Sequence, residues 1–181
     1  MSNKNLIKHC LAVEAAMIAY AHHFGVGEEE KETWAIAGLL HDADYEKYPD
    51  QHPQIVVAWL EEKSVSAETA KDKNAVNDLI NAIEAHGFEF NVEPKTLMAK
   101  ILRAVDELTG LIVAVALVRP NKKIVEVNVQ SILKKWNIPS FAAGVNRQDV
   151  VRGASEIDVD LEQHIEIVLK AMQEIADKLG L

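Results

Sequence analysis

Apolar residues recur at helical spacing along almost the whole chain, and this periodicity limits the possible folds more than any other feature. The first such segment covers residues 3–24 and ends at Gly25. Leu6, Val13 and Met17 recur on one face of it. Only five Pro and eight Gly interrupt the 181 residues, which favours helix over sheet. We therefore expect an all-α protein.

Start and stop signals divide the pattern into about seven helices. Pro is favoured in the first turn of a helix, so Pro53 and Pro94 mark helix starts, whereas Gly87 marks an end. Residues 121–145 are rich in valine, but a lone strand would have no partner, and a loop with short helical turns is preferred. The predicted helices cover residues 3–24, 28–42, 53–63, a segment that follows Ser66 and Thr69 and ends near Gly87, and residues 94–118, 146–153 and 160–179.

Composition and charge narrow the class of protein. The length suits a single domain over residues 1–181, with 49% apolar residues to build its core. A formal net charge of −9 argues against binding to duplex nucleic acid, although a bound metal ion would still allow a small anionic ligand. Cys10 is the single cysteine, and the longest apolar run, residues 110–118, is too short for a membrane span. We expect a soluble cytoplasmic protein.

The dipeptide His41-Asp42 is the first candidate for chemistry. It follows an apolar run that includes Trp34 and Leu40, so its helix must be buried. An imidazole and a carboxylate that emerge together from a buried helix need partners, and a divalent metal ion satisfies both. The alternative is a helix end, with His41 favoured by the helix dipole and Asp42 opening the next turn.

Asp106 is the second candidate. It lies within or beside the apolar stripe of a helix that also carries Leu102 and Thr109. An unpaired carboxylate in that position would be costly or would become protonated, so it needs a cation. That cation could be a metal ion or, as the simpler alternative, Arg103 at position i−3.

Three further histidines could join these residues. His9 on the first helix could instead be a core residue, His52 a solvated loop residue, and His86 a helix cap before Gly87. The other histidines are interpreted as ordinary surface or helix-end residues: His22, His23 and His164.

Imidazoles and carboxylates together are ligands for first-row divalent metals. Four side chains would hold one ion: His9, His41, Asp42 and Asp106. His52 and His86 could hold a second ion, with Asp42 as a bridge between the two. These ligand types do not select among Fe, Mn, Zn, Ni and Mg.

Hydrolysis would require additional groups. Asp42 would be essential as a ligand, and Asp44 or Glu46 could orient the attacking water as a general base or could simply be loop acids. Four cations could offset phosphoryl charge or could be solvated surface residues: Arg103, Arg119, Lys122 and Arg147. The apolar stretch Leu111 to Val118 is either core, which we prefer, or a homodimer contact.

The order His9, His41-Asp42, Asp106 resembles the H…HD…D signature of the HD-superfamily phosphohydrolases. The segments HCLAVEAAM, AIAGLLHDADYEKYP and ILRAVDELTGLIVAVALVRP are similar to the motifs that carry those residues in the superfamily. FAAGVNR resembles a segment of an uncharacterised bacterial branch. The resemblance implies an HD-domain helical bundle and a metal-dependent phosphohydrolase acting on a small phosphorylated substrate, such as a nucleotide.

Histidines that match His52 and His86 mark the binuclear branches of the superfamily. These branches include the HD-GYP cyclic-dinucleotide phosphodiesterases and the HD-type diadenosine tetraphosphate hydrolases. This chain has no GYP segment, and Gly87 rather than a second histidine follows His86. The resemblance is therefore compatible with a site for one ion or for two. Two alternatives keep the metal: a di-iron oxygenase, as some HD proteins are, or a non-catalytic metal- or nucleotide-binding module.

Overall fold

A computed structural model describes residues 1–67 and 69–181, and none of them forms a strand. The α-helices in this part of the chain are α1 (Lys4–His23), α2 (Glu28–Leu40), α3 (Gln54–Val65), α4 (Ala70–Glu84), α5 (Leu97–Leu117), α6 (Val129–Trp136), α7 (Arg147–Glu156), α8 (Leu161–Glu174) and α9 (Ala176–Leu179). Short 3₁₀ turns lie at Pro49–Gln51, Phe88–Phe90 and Ile124–Glu126.

The all-α prediction is confirmed, and each of the seven predicted helices has a counterpart. The two additional helices have local causes. In the uncertain stretch 121–145, the Asn128 side chain accepts a hydrogen bond from the Ser131 amide, and Ser131 bonds back to the Asn128 amide, which starts α6. The last predicted helix is interrupted at Ile175, which separates α8 from α9.

The helix α1 packs against α2, α5 and α8 and carries several fully buried residues, among them Met17 and Tyr20. Gly38 allows α2 to approach it closely, because a Cβ atom at this position would lie 2.7 Å from the Glu14 Cα atom. This close packing brings the C-terminal end of α2 against α1.

The helix α5 lies in the core between α1, α4, α7 and α8. In the stretch Leu111 to Val118, four residues are buried, while Leu117 and Val118 remain about half exposed at 49% and 57%. Half of the stretch is therefore core, and the homodimer stays a prediction. No helix in the described part of the chain is long and apolar enough to cross a membrane.

Candidate metal centre

Four side chains from α1, α5 and the segment that follows α2 meet in one cluster. His9 Nε2 lies 3.1 Å from His41 Nε2 and 3.0 Å from Asp106 Oδ1. Asp42 Oδ2 lies 3.6 Å from both imidazole nitrogens, and Asp106 Oδ1 lies 3.6 Å from His41 Nε2. Two ligands at about 2.1 Å from one ion are separated by about 3.0 Å at a right angle and about 3.4 Å at a tetrahedral angle. The four residues, which we name the first half-site, therefore have the spacing that a first-row ion requires.

The other oxygen of Asp42 faces a second pair of imidazoles. Asp42 Oδ1 lies 3.4 Å from His52 Nε2 and 3.9 Å from His86 Nε2, and the two nitrogens are 3.2 Å apart. His52 lies in the loop between α2 and α3, and His86 follows the end of α4. Asp42, His52 and His86 form what we name the second half-site, so Asp42 presents one oxygen to each half.

Two of the four imidazoles have their protonation fixed by main-chain carbonyl groups. His41 Nδ1 donates to the Gly38 carbonyl oxygen at 2.8 Å, and His86 Nδ1 donates to the Ile83 carbonyl oxygen at 2.6 Å. A carbonyl oxygen can only accept, so the Nδ1 atom of each ring must carry a proton. In the neutral imidazole the Nε2 atom of each ring is therefore left with a lone pair that points into the cluster.

Side chains orient the other two imidazoles in the same way. His52 Nδ1 donates to Asp44 Oδ1 at 2.6 Å. His9 Nδ1 lies 3.2 Å from Thr109 Oγ1, and Thr109 uses its own proton to bond the Asp106 carbonyl oxygen at 2.8 Å. Thr109 Oγ1 therefore accepts from His9. Such outer partners, which fix the ring and the tautomer, are typical of metal-bound histidines.

The cluster attracts positive charge. Four Nε2 atoms and two carboxylates face one another, an arrangement that favours positive charge among them. Burial lowers the pKa of His41, but the Asp42 and Asp106 carboxylates outweigh it and raise that pKa to about 9. Burial likewise raises the pKa of Asp106, but hydrogen bonds from His41 and His9 hold it well below its usual value. A divalent metal ion would supply the same charge to all the ligands at once.

Asp44 has both oxygens engaged by the protein. Oδ1 accepts from His52, and Oδ2 accepts from the amides of Ile55 and Val56 at 3.1 Å and 3.0 Å, at the start of α3. Its side chain is buried. The sequence suggested Asp44 as a general base or a loop acid, whereas this placement makes it a helix cap and a partner that positions His52.

Glu46, the second suggested general base, lies at the protein surface. It accepts hydrogen bonds from the Ser2 hydroxyl and amide and from the Asn3 amide, and these bonds lower its pKa to about 2. The structure therefore gives Glu46 a role in fastening the chain's first residues and does not bring it to the cluster.

A cavity of about 330 Å³ opens beside the cluster. Four of the candidate ligands line it: Asp42, His52, His86 and Asp106. The rest of its wall is formed by Tyr45, Pro49, Gly87, Phe88, Glu89, Phe90, Arg103, Glu107 and Asp149. Four of the six candidate ligands therefore border a space large enough for water and a small molecule.

The structure brings one of the four predicted substrate-binding cations to this cavity. Arg103 lines it, but its Nη2 atom lies 2.5 Å from Glu156 Oε2, and its guanidinium group stacks on the ring of Phe88. Arg103 thus pairs with Glu156 rather than with Asp106, which removes the alternative explanation for Asp106. The other three cations are not among the residues that line the cavity: Arg119, Lys122 and Arg147. Arg147 instead donates to main-chain carbonyl groups, including those of Val145 and Phe141.

The sequence pattern predicts a surface or helix-end position for His164, and that prediction is wrong. Its side chain is fully buried, with Nε2 donating to the Ala104 carbonyl oxygen at 3.0 Å and Nδ1 accepting from the Tyr20 hydroxyl at 2.5 Å. The role of Thr109 in supporting His9 is not among the sequence predictions. A hydroxyl one turn after a candidate ligand is the signal that could have identified it.

The sequence model of the HD domain matches residues 6–111, which is more than half of the chain and includes all six candidate ligands. The chain belongs to the HD domain family. Neither the curated proteins nor the solved structures gave a match. HD domains commonly bind divalent metals and act as hydrolases, and the clustered His and Asp residues of this HD domain could hold such an ion.

Proposed function

We propose that this HD domain is a metal-dependent hydrolase that cleaves phosphate esters of small molecules, using a metal-activated water. One observation carries the proposal: four imidazole Nε2 atoms and two carboxylates converge, and four of these six side chains line a cavity. A purely structural metal site would not need a bridging carboxylate or an open face toward solvent.

The residues of the chain divide into ligands and supports. The first half-site would hold one ion, and the second half-site would hold another, with Asp42 shared. A divalent ion bound here lowers the pKa of its water ligand and offsets charge on phosphoryl oxygens. Thr109 and Asp44 keep the Nδ1 protons of His9 and His52 turned away from the cluster. Burial, followed by the charge of His41, lowers the pKa of His86 to about 4, which keeps this imidazole neutral at physiological pH.

The cavity wall favours a substrate of modest negative charge. Three carboxylates beyond the candidate ligands line it: Glu89, Glu107 and Asp149. Burial, together with neighbouring carboxylates, raises the pKa of both Glu107 and Asp149. Further negative charge close to this wall would be repelled, so a phosphomonoester or phosphodiester of a small metabolite, such as a nucleotide, suits the cavity better than a long polyphosphate.

The test is hydrolysis of p-nitrophenyl phosphate and bis(p-nitrophenyl) phosphate by chelated protein that is reloaded with Mn²⁺, Mg²⁺, Zn²⁺ or Fe²⁺. We expect turnover with at least one ion and none after chelation. Asp42→Ala should abolish both metal binding and turnover, whereas Lys170→Ala, which removes an exposed cation on α8, should change neither. Full activity and full metal content in Asp42→Ala would overturn the proposal.

A di-iron oxygenase is the second candidate, because four of the six candidate ligands are imidazoles, which suit iron. Protein loaded anaerobically with Fe²⁺ would then consume oxygen when a substrate is added, while phosphate esters remained intact. Tight metal binding without turnover in either assay would instead favour a non-catalytic module.

A further inference from the structure

The two half-sites differ in how they are supported. In the first, His9 and Asp106 lie on the long helices α1 and α5, and His41 caps α2. In the second, His52 lies in a loop and His86 lies beyond the end of α4. Loop-borne ligands need additional contacts to hold their rings in position.

The ring of Phe90 supplies such a contact to both histidines of the second half-site. Its centroid lies 5.7 Å from that of His52, at an interplanar angle of 68°, and 5.1 Å from that of His86. These are favourable separations for aromatic rings. Phe90 belongs to the short turn Phe88–Phe90, so the position of this turn determines how firmly the two imidazoles are packed.

Two guanidinium groups clamp this turn through Phe88. Arg103 lies 4.3 Å and Arg152 lies 4.2 Å from the centroid of the Phe88 ring, and the Glu156 carboxylate bonds both, at 2.5 Å and 3.0 Å. We name Phe88, Arg103, Arg152 and Glu156 the arginine clamp. Both cations are oriented by one carboxylate, which favours stacking on the ring.

The helix α7 carries half of the clamp and is itself fixed against α5. A Cβ atom at Gly153 would lie only 2.6 Å from the Ala104 Cα atom, so the two helices approach as closely as glycine allows. Arg152 and Glu156 lie on α7, beyond the residues 6–111 that match the HD domain. The second half-site is thus supported by a part of the chain outside the matched segment.

We propose that α7 sets the metal affinity of the second half-site through the arginine clamp. This inference rests on the proposed metal centre. Loss of the clamp frees the Phe88–Phe90 turn and removes the Phe90 ring from His52 and His86. The affinity of the second half-site for its ion then falls. In the described part of the chain, Phe90 packs on the imidazoles of His52 and His86 and not on those of the first half-site, so the first half-site retains its ion. Phe88, Arg152 and Glu156 are thus positioning residues.

The experiment is calorimetric titration of the chelated full chain with Mn²⁺, with bound metal counted by elemental analysis. His86→Ala identifies the binding step of the second half-site. We expect Phe88→Leu and Arg152→Ala to weaken that step by about tenfold or more and to leave the other step unchanged. Phe88→Tyr keeps the aromatic face and should bind like the unmodified protein.

Lys170→Ala is the matched control, because Lys170 forms an exposed i,i+4 pair with Glu166, as Arg152 does with Glu156. Unchanged binding in Phe88→Leu and Arg152→Ala, or equal weakening of both steps, overturns the inference while the metal centre stands. A single ion in the unmodified protein also overturns it. No bound ion in the unmodified protein refutes the proposed function as well. Arg152 is largely exposed, so its variant remains informative if Phe88→Leu does not fold.

Discussion

His41 and His164 are both fully buried imidazoles, yet their surroundings differ in one decisive respect. Both nitrogens of His164 are paired, one with the Tyr20 hydroxyl and the other with the Ala104 carbonyl group. His41 pairs only Nδ1 with a carbonyl group, and its Nε2 faces His9 and two carboxylates. Burial therefore does not identify a ligand. A buried ring nitrogen that faces other candidate ligand atoms does.

The same difference appears in their acid–base behaviour. Burial lowers the pKa of His164 to about 4, because no charged partner opposes it. Burial also lowers the pKa of His41, but two carboxylates reverse the effect and raise it to about 9. One imidazole belongs to a neutral structural network, and the other belongs to a cluster whose carboxylates favour positive charge.

The largest expected effect separates the two histidines by metal content. His41→Ala should lose the ion of the first half-site, and hydrolysis of a phosphate ester should fall by on the order of a thousandfold or more, because the ion supplies several kcal/mol of transition-state stabilisation. His164→Ala should retain the metal stoichiometry of the unmodified protein. Elemental analysis and steady-state assays check both. Equal metal loss in the two variants would remove the distinction.

His164→Phe tests the structural half of the comparison. It leaves the Tyr20 hydroxyl and the Ala104 carbonyl group buried without this partner, and we expect the free energy of unfolding to fall by about 2–4 kcal/mol. Urea denaturation of chelated protein measures this loss. Tyr20→Phe, which removes the hydroxyl from the same network, should cost less. A fully stable His164→Phe variant would show that the network contributes nothing.

The support of His9 should have a smaller effect on metal. Thr109→Val keeps the shape of the side chain but removes the oxygen that accepts from His9 Nδ1. We expect metal affinity to fall by about 10–100-fold without loss of the fold. Titration with Mn²⁺ measures it, and Thr109→Ser, which retains the hydroxyl, is the control. Equal affinity in the Val and Ser variants would contradict the role of Thr109.

The smallest effect concerns pH. The pKa of His164 is lower in the folded chain than in the unfolded chain, so the unfolded state takes up a proton first as pH falls below about 6.5. This group's contribution to stability is therefore complete above that pH and is lost toward pH 4. Between pH 7.5 and 5.5 the loss is about 1 kcal/mol. His164→Asn should show a shallower decline over that interval in urea denaturation, and an identical decline would contradict the assignment.

Most of the helices could be predicted from local sequence patterns. Helix starts near Pro53 and ends near Gly87 were readable because capping acts within a few residues. For residues 121–145 the sequence predicts a loop with short helical turns, and the bounds of α6 within it depend on the less familiar capping pair Asn128 and Ser131. Valines in this stretch could also suggest a strand. In the structure, Val125 lies in the 3₁₀ turn Ile124–Glu126, and Val127 follows that turn on the way to α6.

The contacts that define the site were less accessible. Tyr20 is 144 residues from His164 in the chain, and Glu156 is 53 residues from Arg103. A local sequence pattern therefore predicts neither pair. The convergence of the candidate ligands was inferred because acids and imidazoles on buried helix ends need partners. The roles of Asp44 and Glu46 depend on which main-chain amides they face, and this follows only from the folded chain.

Anomalous diffraction from crystals of Mn²⁺-loaded protein tests the central claim most directly. We predict two peaks about 3.5–4 Å apart, one within reach of His9, His41 and Asp106 and one within reach of His52 and His86, with Asp42 between them. No peak among these side chains, or ions bound only elsewhere on the acidic surface, would contradict it.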